Sequence, residues 1–243
     1  MDDLGNRELV NLRDGSNQDY TIYTATNEYT AVDANSLSWD DAGNLITDHR
    51  GYDYEYDYEN RLIRVLDVND VQTAVWAYDA LGRRYKMTDS KASETTYYYY
   101  NDNWQVLCEA DPADTVQRVY AWGNYIDEAL ILLDYEPTTA IYYYVHNHLY
   151  SPMAMVDMTS PDTVAERYEY NAYGEATIYN GDFTQTYTTT QIDNPYFFTG
   201  RRLYELDSDN LELMDYRHRT YDPQLGRFMQ RDPLGYIDGM NLY

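Results

Sequence analysis

Six short stretches of the chain share one pattern, an aromatic residue followed by Asp or Asn and then by turn-forming residues. They begin at Trp39-Asp40, Tyr56-Asp57, Tyr78-Asp79, Tyr100-Asn101, Tyr170-Asn171 and Tyr221-Asp222. Internal self-similarity constrains architecture more than any single residue, because a repeated supersecondary unit buries its apolar face only against its neighbours. The pattern also has a mechanical reading. The Asp or Asn side chain can accept a hydrogen bond from the backbone two residues on, and a following Gly or Asn supplies the positive φ that closes a short hairpin. The aromatic ends a strand, where it can stack on a cross-strand partner. Successive aromatics at 39, 56, 78 and 100 are separated by 17, 22 and 22 residues, about two strands and their turns. The pattern predicts an all-β chain of sequential antiparallel hairpins forming a curved or spiralling sheet.

Tyr occurs 31 times, against four Phe and four Trp. A ring with a polar tip suits a sheet whose inner face is only partly dry. The runs Tyr97-Tyr98-Tyr99-Tyr100 and Tyr142-Tyr143-Tyr144 put Tyr on both faces of a strand. A net charge of −25 argues against a nucleic-acid partner, whose affinity would come mainly from cationic contacts to phosphate. Solubility explains the acidity. Asp207 and Asp209 before Asn210 superficially resemble a calcium loop but lack its Gly and terminal Glu, so they read as a turn and no metal is expected. Cys108 is the single cysteine, which excludes an internal disulfide. Of the four His, His146 and His148 are expected to share a strand face without further ligands. No cofactor-binding motif is present. The first residues lack the pattern of a signal peptide, and no apolar run is long enough for a membrane span.

Along the chain, 1–19 reads as a flexible leading segment, 20–193 as the repeat sheet and 194–243 as a distinct C-terminal segment. Strands are expected at 61–67, 72–79, 83–88, 95–101, 104–109, 116–122, 139–146, 153–158, 165–171 and 175–180. Tyr125 to Leu133 fits a short helix or turn, or equally a strand. The turns at 111–114 and 160–163 contain Pro, which keeps them out of a central ladder. After Asn194-Pro195 the acidic chain gains Arg201, Arg202, Arg217, Arg219, Arg227 and Arg231, expected to pair with inward carboxylates.

The stretches Asn194 to Arg202, Tyr216 to Phe228 and Arg231-Asp232-Pro233-Leu234-Gly235-Tyr236, with Trp122 to Glu128 and Glu166 to Glu175 upstream, resemble the Rhs repeat-associated core and YD-repeat region of Rhs toxins, insecticidal toxin complex C subunits and teneurins. The resemblance covers about residues 20 to 243. It departs at Tyr150, where the family usually has Gly, and at Asp207 to Asn210, which replace a common Glu-Thr-Gly turn. It implies a partial β-cocoon, a shell segment that in relatives encapsulates a C-terminal toxin polypeptide, and an extracellular or cell-surface location. This chain is expected to encode no toxin of its own.

The resemblance also implies a candidate self-cleaving aspartyl protease, whose role would transfer to Arg231 and Asp232. Such chemistry requires two carboxylates sharing a proton. Asp238 is the only aspartate after Asp232, and Asp238-Gly239 reads as a turn. Arg231 and Asp232 are therefore expected to be structural. A cell-surface carbohydrate- or protein-binding module is the alternative to the shell, with exposed Tyr and carboxylate rows as its surface. Some 18 strands at about 4.8 Å spacing give a strip about 86 Å wide, only about 27 Å across if closed. A 100-residue cargo with a radius of gyration of about 13 Å would not fit inside. Unpaired sheet edges point to further YD repeats or self-association as partners.

Overall fold

The computed structural model describes residues 1–11, 15–160, 163–237 and 239–243. Among them the chain is all-β apart from a single 3-10 turn at Phe198–Gly200. The strands form three antiparallel sheets. The first runs in sequence order through β1 (Leu9–Asn11), β2 (Asn17–Tyr23), β3 (Glu28–Val32) and β4 (Asn35–Ser36).

The second sheet has 15 strands, again in sequence order. Its first half is β5 (Ser38–Trp39), β6 (Leu45–Thr47), β7 (Asp53–Tyr56), β8 (Leu62–Leu66), β9 (Gln72–Tyr78), β10 (Arg84–Asp89), β11 (Glu94–Tyr100) and β12 (Val106–Ala110). The rest is β13 (Val116–Trp122), β14 (Ala129–Asp134), β15 (Ala140–His146), β16 (Pro152–Asp157), β17 (Thr163–Tyr170), β18 (Ala176–Asn180) and β19 (Thr186–Tyr187). The third comprises β20 (Arg202–Leu206), β21 (Leu211–Asp215), β22 (Thr220–Asp222) and β23 (Arg227–Phe228). Residues 35–39 join the first two sheets. Asn35 and Ser36 pair with Val32 and Ala31, Ser38 pairs with Thr47, and the Leu37 N–H donates to Thr30 O at 2.9 Å. The strands β1 to β19 therefore run as one ribbon.

The repeat has a physical basis at both of its residues. At Asp79 the backbone N–H donates to Arg83 O (2.9 Å), the Gly82 N–H donates to Asp79 O (3.0 Å), and the carboxylate accepts from the N–H groups of Leu81 and Arg83 at 2.9 Å. Asp57, Asn101, Asn147 and Asn171 build the same turn. The fourth residue of each is left-handed, from Asn60 at φ 61° to Gly174 at φ 92°, and includes Trp104 and Tyr150. Tyr150, standing where the resemblance has Gly, thus keeps the hairpin.

The aromatic ties one repeat to the one before. Tyr56, Tyr78, Tyr100 and Tyr170 donate their hydroxyls to the carbonyls of Leu45, Leu62, Arg84 and Pro152 at 2.6–2.8 Å, each the first residue of a strand one hairpin earlier. Trp122 Nε1 does the same to Val106 O at 2.7 Å. Asp79→Ala is expected to cost about 1–2 kcal/mol by orphaning two backbone donors, read as a lower urea midpoint. An unchanged midpoint would refute this reading of the turn.

Tyr54, Trp76, Tyr98, Tyr120, Tyr144 and Tyr168 are buried one per hairpin on the inner face. The third sheet and the residues before it cover them. Trp76 packs edge-on to Tyr204 with centroids 5.4 Å apart, Tyr120 to Tyr196 at 5.2 Å and Tyr168 to Phe197 at 5.2 Å. The ribbon thus curls around its own C-terminal segment.

Two sequence expectations change, and a third that was open is decided. In the described part of the leading segment Asn6 and Arg7 are buried, and β1 pairs with β2 through Leu9, Val10 and Asn11, so these residues are not loosely held. Arg7 is fixed because its guanidinium donates to Tyr20 and to Gln224 O and lies 3.6 Å above the Tyr173 ring. His146 lies in β15 whereas His148 is exposed in the following turn, so the two do not share a strand face. The stretch Tyr125 to Leu133 resolves as a turn followed by β14, because Ala129 and Leu132 bury inward. Pro161, Asp162 and Asp238 lie outside the described residues.

Candidate functional site

Residues 194–243 meet the inner face of the ribbon through arginines, and this contact is the candidate site. Arg202 in β20 is buried and donates to Glu109 of β12 and to the Tyr196 hydroxyl, with its guanidinium 4.8 Å above Tyr98. Glu109 also accepts from Tyr120 at 2.7 Å and pairs with Arg118 at 3.4 Å. Burial pushes the Glu109 carboxyl up, and Arg202 and Arg118 outweigh it, holding it below the ordinary carboxylate range.

Further along the ribbon, Arg84 of β10 pairs with Asp215 of β21 and donates to Thr220 at 2.9 Å. Asp127 receives Arg201 at 3.1 Å and also pairs with Arg217. Arg50 bridges Asp48, at 2.6 Å, to Asp222 in β22. Gly200 is required where the chain enters β20, since at φ 69° an added Cβ would lie 2.2 Å from Asp127 O.

Arg231 and Asp232 lie at the far end of this segment and point to different partners. Arg231 donates to Glu28 of β3 at 2.6 Å and to the Tyr243 hydroxyl at 3.0 Å. Tyr243 donates in turn to Glu28 at 2.9 Å and to Gly43 O at 3.1 Å, and its ring packs edge-on to Trp39 at 4.9 Å. Burial pushes the Glu28 carboxyl up, and hydrogen bonds from Thr26, Arg231 and Tyr243 outweigh it, so that it sits low. Asp232 pairs with Arg219 at 3.1 Å and caps the Leu234 N–H at 2.8 Å, while its own N–H donates to Leu242 O at 2.8 Å. The arrangement fastens residues 240–243 to the start of the ribbon. Asp232→Asn is expected to cost at most about 1 kcal/mol, because its ion pair is partly solvated, and to give the same cleavage pattern as the unsubstituted chain. A larger loss, or a cleavage product of the unsubstituted chain that the variant lacks, would contradict that.

The sequence reading anticipated arginine–carboxylate pairing in this segment but named no partners. Glu109, Asp127, Asp48 and Glu28 lie on strands or turns far away in sequence, and a residue spacing carries no trace of them. Cys108 is half-buried between Tyr99 and Val119 on the neighbouring strands, and burial raises its thiol. Among the described residues no cluster of three or more His, Cys, Asp or Glu could hold a metal ion, and no helix is long and apolar enough to cross a membrane.

No family model matches the chain. It is 31% identical over 245 residues to the tRNA nuclease WapA of Bacillus subtilis, an alignment covering 99% of this chain and 10% of that protein. It is 28% identical over 233 residues to double-stranded DNA deaminase toxin A of Burkholderia cenocepacia, covering 85% of this chain and 16% of that one. A crystal structure of TcdB2-TccC3-Cdc42 superposes with a TM-score of 0.70 at 20% identity, over 95% of this chain and 12% of the matched chain. The chain spans about a tenth of the length of the WapA protein it matches. Its fold is the Rhs-like fold of the Tc-toxin chains.

Proposed function

We propose that the chain is the closing segment of a longer Rhs/YD-repeat shell, of the kind that encloses a toxin polypeptide, and that its Rhs repeat-associated core forms the seal. The observation that supports this reading is the ribbon curled around residues 194–243, whose rings and arginines pack on the inner-face residues Trp76, Tyr120, Tyr168 and Glu109, where a cargo would otherwise lie. A shell with a lumen then requires further repeats, and the unpaired outer edge of β1 is where a preceding strand would add. The toxin-related relatives favour an extracellular or cell-surface setting. Arg231 and Asp232 act here as fasteners, a role favoured by their separate partners Glu28 and Arg219. Electron microscopy of the chain expressed with its natural upstream sequence tests the shell. A hollow particle closed at one end by this segment is expected, and a solid or open-ended particle would sink the reading.

The binding-module alternative draws support from Tyr85, Tyr99 and Tyr143, each at least 40% exposed. A glycan array probed with the purified chain separates the two readings. Saturable binding lost on Tyr99→Ala or Tyr143→Ala would favour the module.

A further inference from the structure

Glu205 and Glu212 face one another directly across β20 and β21. Adjacent like charges in register destabilise a strand pair, and here neither carboxylate forms an ion pair among the described residues. Glu205 Oε1 is enclosed and has no hydrogen-bond partner. The surroundings offer little relief. Asp209 faces the pair from the β20–β21 turn, Glu166 from β17, Glu175 from the turn before β18 and Asp222 from β22. Arg50, the cation that acts on Glu212, is already held by Asp48 and Asp222. Lys91 and Arg118 line the same cavity as Glu205, but Lys91 pairs with Asp67 and Asp207, and Arg118 with Glu109, Asp134 and Asp193. The Thr190 backbone gives Glu205 one hydrogen bond. Leu203 and Leu206 in β20 and Leu211, Leu213 and Met214 in β21, which flank the pair, are all buried.

We propose that Glu205 and Glu212 form a proton latch: with the pair protonated the third sheet stays seated in the ribbon, and with both carboxylates ionised it opens. Burial first, then the neighbouring carboxylates, pushes Glu205 up to about 8 and Glu212 up to about 7. A carboxyl raised in the folded state takes up protons on folding. Its stabilising contribution is complete below the ordinary carboxylate range and is lost as pH rises through 7 to 8. The latch requires only the fold, so a failed shell experiment leaves it standing.

Amide hydrogen exchange on the whole chain, corrected for intrinsic rates, tests it. Between about pH 6 and about pH 9, protection across Leu203–Leu206 and Leu211–Met214 is expected to fall at least about tenfold, the equivalent of one pKa unit. Protection of β8 and β9 should hold, and in Glu205→Gln/Glu212→Gln the pH dependence should vanish. An even loss over all strands, no loss, or an unchanged pH dependence in the double variant would overturn the latch. Should the variant not fold, 13C titration of the two carboxyls in the unsubstituted protein decides. Midpoints above about pH 6 support the latch, and midpoints below about pH 6 overturn it.

Discussion

Glu109→Leu is expected to destabilise the protein by about 3–5 kcal/mol, the cost of leaving a buried charge without its partner. Arg202, 8% exposed, would keep only the Tyr196 hydroxyl and the faces of Tyr98, Tyr120 and Tyr196. Arg118 would retain Asp134 and Asp193, whereas the buried Tyr120 hydroxyl would lose its acceptor, so the loss combines the contact of ribbon with third sheet and that of Tyr120. Urea denaturation reads it as a lower midpoint. Glu109→Leu/Arg202→Met should recover much of the loss, since a well-packed apolar pair can replace a buried ion pair. If the single variant lost less than about 1 kcal/mol, as a solvated pair would, Glu109 would not be what holds β20 in place.

The second large effect is expected at Asp222, which is 0% exposed. Its carboxylate binds Arg50 and caps the N–H groups of Gln224 and Leu225 at 2.9 and 3.0 Å. Asp222→Ala removes the ion pair and both caps, for a loss of about 3–4 kcal/mol. Asp222→Asn keeps an acceptor for the turn and should restore about 1–2 kcal/mol of that. Equal midpoints for the two variants would show that the caps contribute nothing.

The contrast between Asp79 and Asp222 explains what could be read from the sequence. Both follow a tyrosine, and both turns are local, so the Asp pattern announces each of them. Only Asp222 also serves a cation on another sheet, Arg50, 172 residues away, and nothing in the local pattern separates it from Asp79. The strands were legible for the same local reason. Residues 116–122 match β13 at both ends, because β-branched and aromatic residues alternate between clear turn signals. At the opposite rim Asp48, Asp67 and Asp111 build the same hydrogen bonds, and only the Asp111 turn, marked by Pro112, could be read beforehand. None of them follows an aromatic tether. Burial of Asn6 and Arg7 was invisible because their partners Asn27, Tyr29 and Gln224 lie on other elements.

The third sheet follows the ribbon in the chain and is synthesised after it, which sets an order of folding. The ribbon hairpins are local and can form as they emerge, yet Glu109 and Asp127 wait for Arg202, Arg201 and Arg217, and Arg50 waits for Asp222. Until then the ribbon carries inward carboxylates without their cations and tyrosine rings without cover. Contacts of such long sequence separation come late and slow the final step. A nascent chain interrupted before residue 194 would therefore present a soft, acidic, open trough rather than a smaller stable fold, the kind of species that chaperones and proteases recognise.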